Sequence, residues 1–343
     1  MSAKKVLLLA VFFLAGCPQQ DAQQPPPQQP PPYYGPGYPP PPQQPYPGGY
    51  YPPPGQQPPP GQPPPPQAQR PLLAPLVGSQ AYQNELRSVL AELMNSLTAQ
   101  NQALVRGIPL VFDPTTEVNA YAGCDDQGQP FLAATQGILD AADAISQTKA
   151  TDEMFHTATY DAYTNAVLPN MAKQSNASAA LPAGIIPTQY GADTRRWSRA
   201  HEMADEILAF TFGHELSHHY LGHTGCAKGQ GGSSGPDPAA LGRLVLRVPA
   251  FNQFAESAAD TAGCYNALDT GLARRNQGNY QWNEEGGVFL LDYFGRLERA
   301  AGGGGLLSLL SPNNFLRTHP NPTIRLPAFQ AVARTWHAQH PGA

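Results

Sequence analysis

Beyond residue 72, hydrophobic positions recur mostly at helical spacing. SQAYQNELRSVLAELMNSLTAQNQALV opens on Ser79 and places Leu86, Val89, Leu90, Leu93, Leu97 and Leu104 on one face, which predicts a long amphipathic helix. The same periodicity predicts helices from about Ile138, over 151–174, and over 194–222, 249–270, 285–300 and 326–339. Before Ile138, two short runs rich in β-branched and aromatic residues flank Asp125-Asp126-Gln127-Gly128 and predict a hairpin. Residues 175–191, the Gly/Ser/Pro-rich insert within 227–248 and the glycines at 302–305 read as loops. The pattern is that of a helix-rich α+β domain over 72–343 with a small sheet.

The front of the chain has a different pattern. Lys4 and Lys5 precede an apolar run from Val6 to Ala15, too short to span a bilayer, so residues 1–16 read as a secretory signal. Leu14-Ala15-Gly16-Cys17 resembles the lipobox of bacterial lipoproteins, which implies lipidation of Cys17 and a membrane anchor made of acyl chains. Residues 17–71 are almost entirely Pro, Gln, Gly and Tyr, with no charge between Asp21 and Arg70. So much proline removes backbone donors, and so little apolar surface cannot offset the entropy of ordering; a disordered, extended tether is expected. In polyproline form it could reach up to ~160 Å. Its bland role is a spacer, and its tyrosines also suit a cell-wall or protein partner. Pro18 and Gln19 after the cysteine lean towards the outer membrane. The expected location is a bacterial cell envelope, with the domain in the periplasm.

A net charge of -5 and a pI near 6.0 supply no basic field, which argues against nucleic acid as a partner. With Cys17 assigned to lipid, Cys124, Cys226 and Cys264 remain. An exported domain can keep a disulfide, but three cysteines leave one over and the pairing stays open.

The candidate chemistry lies in GHELSHHYLGHTGC, residues 213–226. HELSH matches H-E-x-x-H inside a predicted helix, where His214 and His218, four apart, share a face and can point at one ion. Glu215, about a quarter turn round, can reach a water there. The bland alternative is a solvated polar face. Against it, a histidine-glutamate pair beside apolar LAFTFG is costly to bury without a metal or another partner.

Catalytic zinc usually has three protein ligands and a water. A third histidine at metzincin spacing would need glycine at 221 and histidine at 224, and the chain has Leu221 and Thr224. A second helix, FNQFAESAADTAGCYNAL, offers Glu256 and Asp260 on one face, one to bind the ion and one to hydrogen-bond the outer nitrogen of a ligand histidine. As an ordinary solvated pair they would need no such explanation.

HELSH with a following His223, then Glu256-Ser-Ala-Ala-Asp260, resembles the HtpX-like and CAAX-prenyl-endopeptidase-type zinc metalloendopeptidases, with signatures H-E-x-x-H and E-x-x-A-D. VNAYAG at 118–123 is similar to that family's Asn-Ala-aromatic hairpin, and THPNPTIR at 318–325 to its late T-H-P element. Ser217 departs from the glycine often found in the motif. The resemblance implies a zincin-type metallopeptidase domain, with one zinc ion on His214, His218 and Glu256, Glu215 as general base and Asp260 orienting a ligand. It further implies His319 and Arg325 as oxyanion or substrate groups. For His319, a structural cap before Pro320 is an equal alternative.

An extended polypeptide substrate is expected to add as a strand along residues 117–121, with Asn119, Ala120 and Tyr121 lining the cleft. His219 is expected at the surface and His223 as a structural residue by the helix end, where Gly222 breaks the helix. HEMAD, 201–205, lacks a second histidine and should be ordinary helix surface. The insert after Cys226, lying between the two ligand segments, is a candidate lid. A rival reading is a non-catalytic lipoprotein adaptor with a structural zinc; another is a different zinc hydrolase acting on cell wall.

Overall fold

A computed structural model describes residues 78–229, 234–248, 253–302 and 314–343; the signal-like segment and the tether lie outside the described residues. The predicted first helix is two. Helix α1, Ser79–Ser96, ends where Thr98 caps α2, Ala99–Val105, its hydroxyl accepting from the Asn101 N–H at 3.3 Å. The apolar face reads through this break because both helices pack on one core, whereas the cap interrupts the backbone.

Three strands follow: β1, Leu110–Asp113; β2, Ala120–Cys124; and β3, Pro130–Thr135. The order is β1-β3-β2. β2 and β3 form the expected antiparallel hairpin around Asp125–Gly128, with Ala122 opposite Leu132 and Gly123 opposite Phe131. β1 adds in parallel to β3, a long-range pairing that alternation cannot reveal. One sheet face carries Ala120, Ala122, Leu132 and Ala134 into the main core. The other carries Val111, Tyr121, Phe131 and Ala133 against Leu241, Leu244, Val245 and Val248.

Helix α3, Gln136–Phe155, leaves β3 directly, capped by Thr135. It stops at His156, which adopts a left-handed conformation with φ 53°, and α4 runs from Thr159 to Met171. The single helix expected over 151–174 is split because Asp152 accepts from the N–H groups of Thr159 and Tyr160 at 2.6 and 3.0 Å, capping the second segment. A short turn, α5, Thr188–Gly191, precedes the central helix α6, Thr194–Tyr220. Asp193 caps α6 by accepting from the Arg195 and Arg196 N–H groups, and Gly222, at φ +80°, lies just past its end as expected.

The described part of the insert, 234–248, is not a free lid. It forms short helical turns including α7, Leu241–Leu244, whose apolar side chains cover the second face of the sheet. Helix α8, Gln253–Asn276, crosses α6 closely, and α9, Glu285–Ala300, packs on α6 too; α10, Asn314–Thr318, leads into α11, Pro322–Gln339, which packs on α8 and α9. The fold is helix-rich α+β. No described helix is long and apolar enough to cross a membrane.

Candidate metal centre

Two glycines set the site. A Cβ on Gly263 would come within 2.6 Å of the His214 nitrogen and 2.9 Å of the Gly213 carbonyl carbon. The absence of side chains there lets α6 and α8 touch backbone to backbone, and carries Glu256 and Asp260 of α8 to His214 and His218 of α6.

His214 Nε2 and His218 Nε2 are 3.0 Å apart, and the Glu256 carboxylate lies 3.6 Å from the first and 3.4 Å from the second. His319, at the end of α10, comes within 3.2 Å of Glu256 through Nδ1. All four residues are buried, and their donor atoms lie within 4.8 Å of one another, so the group could hold a metal ion. Donors about 2.0–2.1 Å from one tetrahedral ion sit roughly 3.3 Å from each other, close to the 3.0–3.6 Å separations among His214, His218 and Glu256.

Buried polar partners hold the donors. Asp260 Oδ1 lies 2.9 Å from His214 Nδ1. Arg325 spans both carboxylates of α8: its Nε and Nη2 donate to Asp260 at 2.7 and 2.6 Å, and its Nη1 is 2.6 Å from Glu256. The guanidinium is thus committed to two carboxylates, where the sequence reading had it facing an oxyanion or substrate. His223 Nδ1 is 2.9 Å from His218 Nδ1, on the side of the ring away from the cluster.

Burial pushes the Glu256 carboxyl up, but Arg325 and His319 outweigh it and hold it well below the usual carboxylate range. Asp260 is likewise lowered, with Arg325 overcoming burial. Burial pushes His218 down to about 3, which favours the neutral imidazole. Both states suit metal ligands, which must be deprotonated to bind.

Glu215 stands beside the donors and outside their group. One oxygen accepts from the Ala122 N–H of β2 at 2.9 Å; the other lies 3.4 Å from His319 Nε2. Burial raises its pKa. His319 Nε2 is also 3.2 Å from the Ala120 carbonyl. Its ring therefore joins the donor cluster to Glu215 and the sheet, a role the sequence did not signal, since His319 has no fixed spacing from the other donors.

The strand starts later than expected, at Ala120, so only part of 117–121 lies in it. Tyr121 projects from the face opposite Ala120 and Ala122, packs edge-on against Phe131 beneath the insert and does not line a cleft. The Asn119 carboxamide is buried, and neither its oxygen nor its nitrogen has a hydrogen-bond partner among the described residues.

His219 is buried and not at the surface: Nε2 is 2.9 Å from the Phe131 carbonyl and Nδ1 3.0 Å from the Thr224 hydroxyl. A single histidine after a motif carries no signal of a strand brought from far away in the chain. Cys124 and Cys226 form a disulfide and Cys264 is free and buried, which resolves the pairing. HEMAD is not plain surface either: Met203 is buried, and Asp205 meets Glu85 of α1.

Searches of protein-family models, of curated proteins and of solved structures find nothing that matches this chain.

Proposed function

We propose that this chain is a zinc-dependent metalloendopeptidase of the HtpX-like, zincin type, acting on unfolded or damaged envelope proteins and anchored to a bacterial membrane through lipidated Cys17. One observation carries the reading: a buried carboxylate, Glu215, adjoins a four-donor cluster without belonging to it. A structural metal site does not itself need an extra buried acid beside its ligands, and burying one costs free energy.

His214, His218 and Glu256 would hold the ion. Zinc bound there supplies Lewis acidity, polarising a carbonyl and acidifying a water. The protein's own groups do the rest. Glu215, raised by burial, takes a proton from water and returns it to the leaving amine. Asp260 and Arg325 keep His214 and Glu256 in place. The free edge of β2 at Ala120 and Ala122 offers main-chain groups to an extended polypeptide once Glu215 and His319 release them.

A second reading has one specific observation behind it. Four protein donors make a closed set, as structural zinc sites have, and hydrolysis needs a position for water, so His319 must withdraw during turnover. If it never does, the chain is an adaptor with a structural metal.

Casein cleavage by the full chain, compared with Glu215→Gln and with zinc content measured in both, separates the two. Cleavage by the parent and none by a variant that keeps its zinc supports the peptidase. Equal zinc and no cleavage by either moves the adaptor forward.

A further inference from the structure

All four donors come from α6, α8 and the end of α10, and none from the sheet. An ion would therefore fix the helices directly and reach the strand edge only through the contact of His319 Nε2 with the Ala120 carbonyl. Yet Ala122 must lie within hydrogen-bond reach of Glu215, from the other side of the site. Beyond the packing of its core face, the hairpin is held to the metal helix by two further ties.

Two fasteners sit one and two residues along β2 from Ala122. At the first, Gly123 pairs with Phe131, and the Phe131 carbonyl is the group His219 reaches at 2.9 Å. A carbonyl only accepts, so Nε2 of His219 carries the proton and Nδ1 accepts from Thr224; the imidazole is neutral with both nitrogens satisfied. At the second, Cys124 is bonded to Cys226, in the loop that leaves α6. His219 immediately follows His218 on α6, so the link from strand to metal helix is short and rigid.

We propose that His219 is a positioning residue which, together with the Cys124–Cys226 disulfide, clasps the β2–β3 hairpin to the metal helix and so keeps the Ala120–Ala122 edge in register with Glu215 for an extended polypeptide. The polypeptide part rests on the peptidase reading; the clasp does not. His219 binds no ion and touches no substrate. Its effect passes through the Phe131 carbonyl to the paired strand.

The test uses the full zinc-loaded chain and compares the parent with His219→Phe, which keeps volume without donors, and His219→Gln, which keeps a donor at similar reach. Each is also made with Cys124→Ser and Cys226→Ser together. Three quantities are read: zinc per chain, hydrogen exchange of the Ala122 amide, and KM and kcat on an unfolded protein. His219→Phe should keep its zinc, speed Ala122 exchange about 10-fold and raise KM about 5-fold with kcat within about 2-fold, the pattern of lost uniform binding. His219→Gln should return the exchange rate and KM to near the parent. Removing the disulfide as well should speed exchange by more than the product of the separate effects, since each fastener covers for the other.

The clasp is overturned if Ala122 exchange is unchanged in His219→Phe, if Gln and Phe behave alike, or if faster exchange only follows loss of zinc. Should His219→Phe fail to fold, Thr224→Val, which removes only the hydroxyl that orients the imidazole, decides: the same changes on a smaller scale support the clasp, and parent-like exchange sinks it. A parent that binds zinc but cleaves nothing defeats the peptidase reading, while zinc and exchange still judge the clasp.

Discussion

The two halves of α6 make a natural comparison. Each carries a histidine and, four residues on, another polar group on the same face: His201 and Asp205 in the first, His214 and His218 in the second. Each is followed along the helix by a carboxylate, Glu202 or Glu215. What separates them is the facing helix. α1 brings Glu85 to Asp205, so that an acid meets an acid with the Arg274 guanidinium 4.0 Å off, and His201 is left 3.9 Å from Glu85. α8 brings Glu256 and Asp260 to two imidazoles, with Arg325 behind to balance the charge. Spacing on a helix creates the opportunity, and the neighbour decides what becomes of it.

Four experiments would break or sharpen that contrast. The largest effect should follow Arg325→Met, which leaves Glu256 and Asp260 buried beside each other without their cation. Stability in urea should fall by about 3–5 kcal/mol. The exposed Arg247–Asp126 pair offers a baseline, since Arg247→Met should cost no more than about 0.5 kcal/mol. Similar losses from the two would mean that Arg325 is not a structural counter-ion. Next, His218→Ala should lower zinc affinity by on the order of 100-fold or more, as read by competition with a coloured chelator, while His201→Ala leaves it unchanged. Equal weakening would move the metal, or part of it, to the first half of the helix.

A third change tests the crossing itself. Gly263→Ala puts a methyl group against the His214 backbone, and overpacking should cost about 1–3 kcal/mol and weaken zinc binding with it. Full stability with intact zinc binding would show that the helices can separate without harm.

The smallest effect concerns the acid pair. Burial first, and then the Glu85 charge, push Asp205 well above the usual carboxylate range. A carboxyl raised in the folded state contributes its full stability below its unfolded pKa of about 3.9 and loses it as pH rises through the folded value. Asp205→Asn removes that titration. Relative to the parent, the variant should therefore gain stability between about pH 4 and neutrality, by roughly 0.5–1 kcal/mol, in paired urea titrations. A constant difference across that window would show that Asp205 ionises normally.

Much of the site could be read from short-range spacing. His214, Glu215 and His218 lie on a helix as expected, and Glu256 and Asp260 share the face of another that meets it. The groups that could not be read depend on long-range approach. His319 joins the donors through a fold that brings α10 beside α8, and His219 is buried only because β3 passes over it. Arg325 reads from the sequence as an oxyanion or substrate group because nothing in its own segment announces two carboxylates from α8. In the fold, periodicity located the main helices but missed the breaks at Thr98 and His156, where one side-chain cap outweighs a continuing apolar pattern. The third strand escaped for a related reason: a parallel partner need not lie next to its neighbour in sequence.

The positions of the donors along the chain also impose an order on biosynthesis. His214 and His218 emerge first, Glu256 next and His319 last, with Arg325 following it. A nascent chain can hold a partial set of ligands, but not the four-donor cluster with its counter-ion, until the segment through Arg325 has been made. The centre as a whole would therefore be completed only late in synthesis.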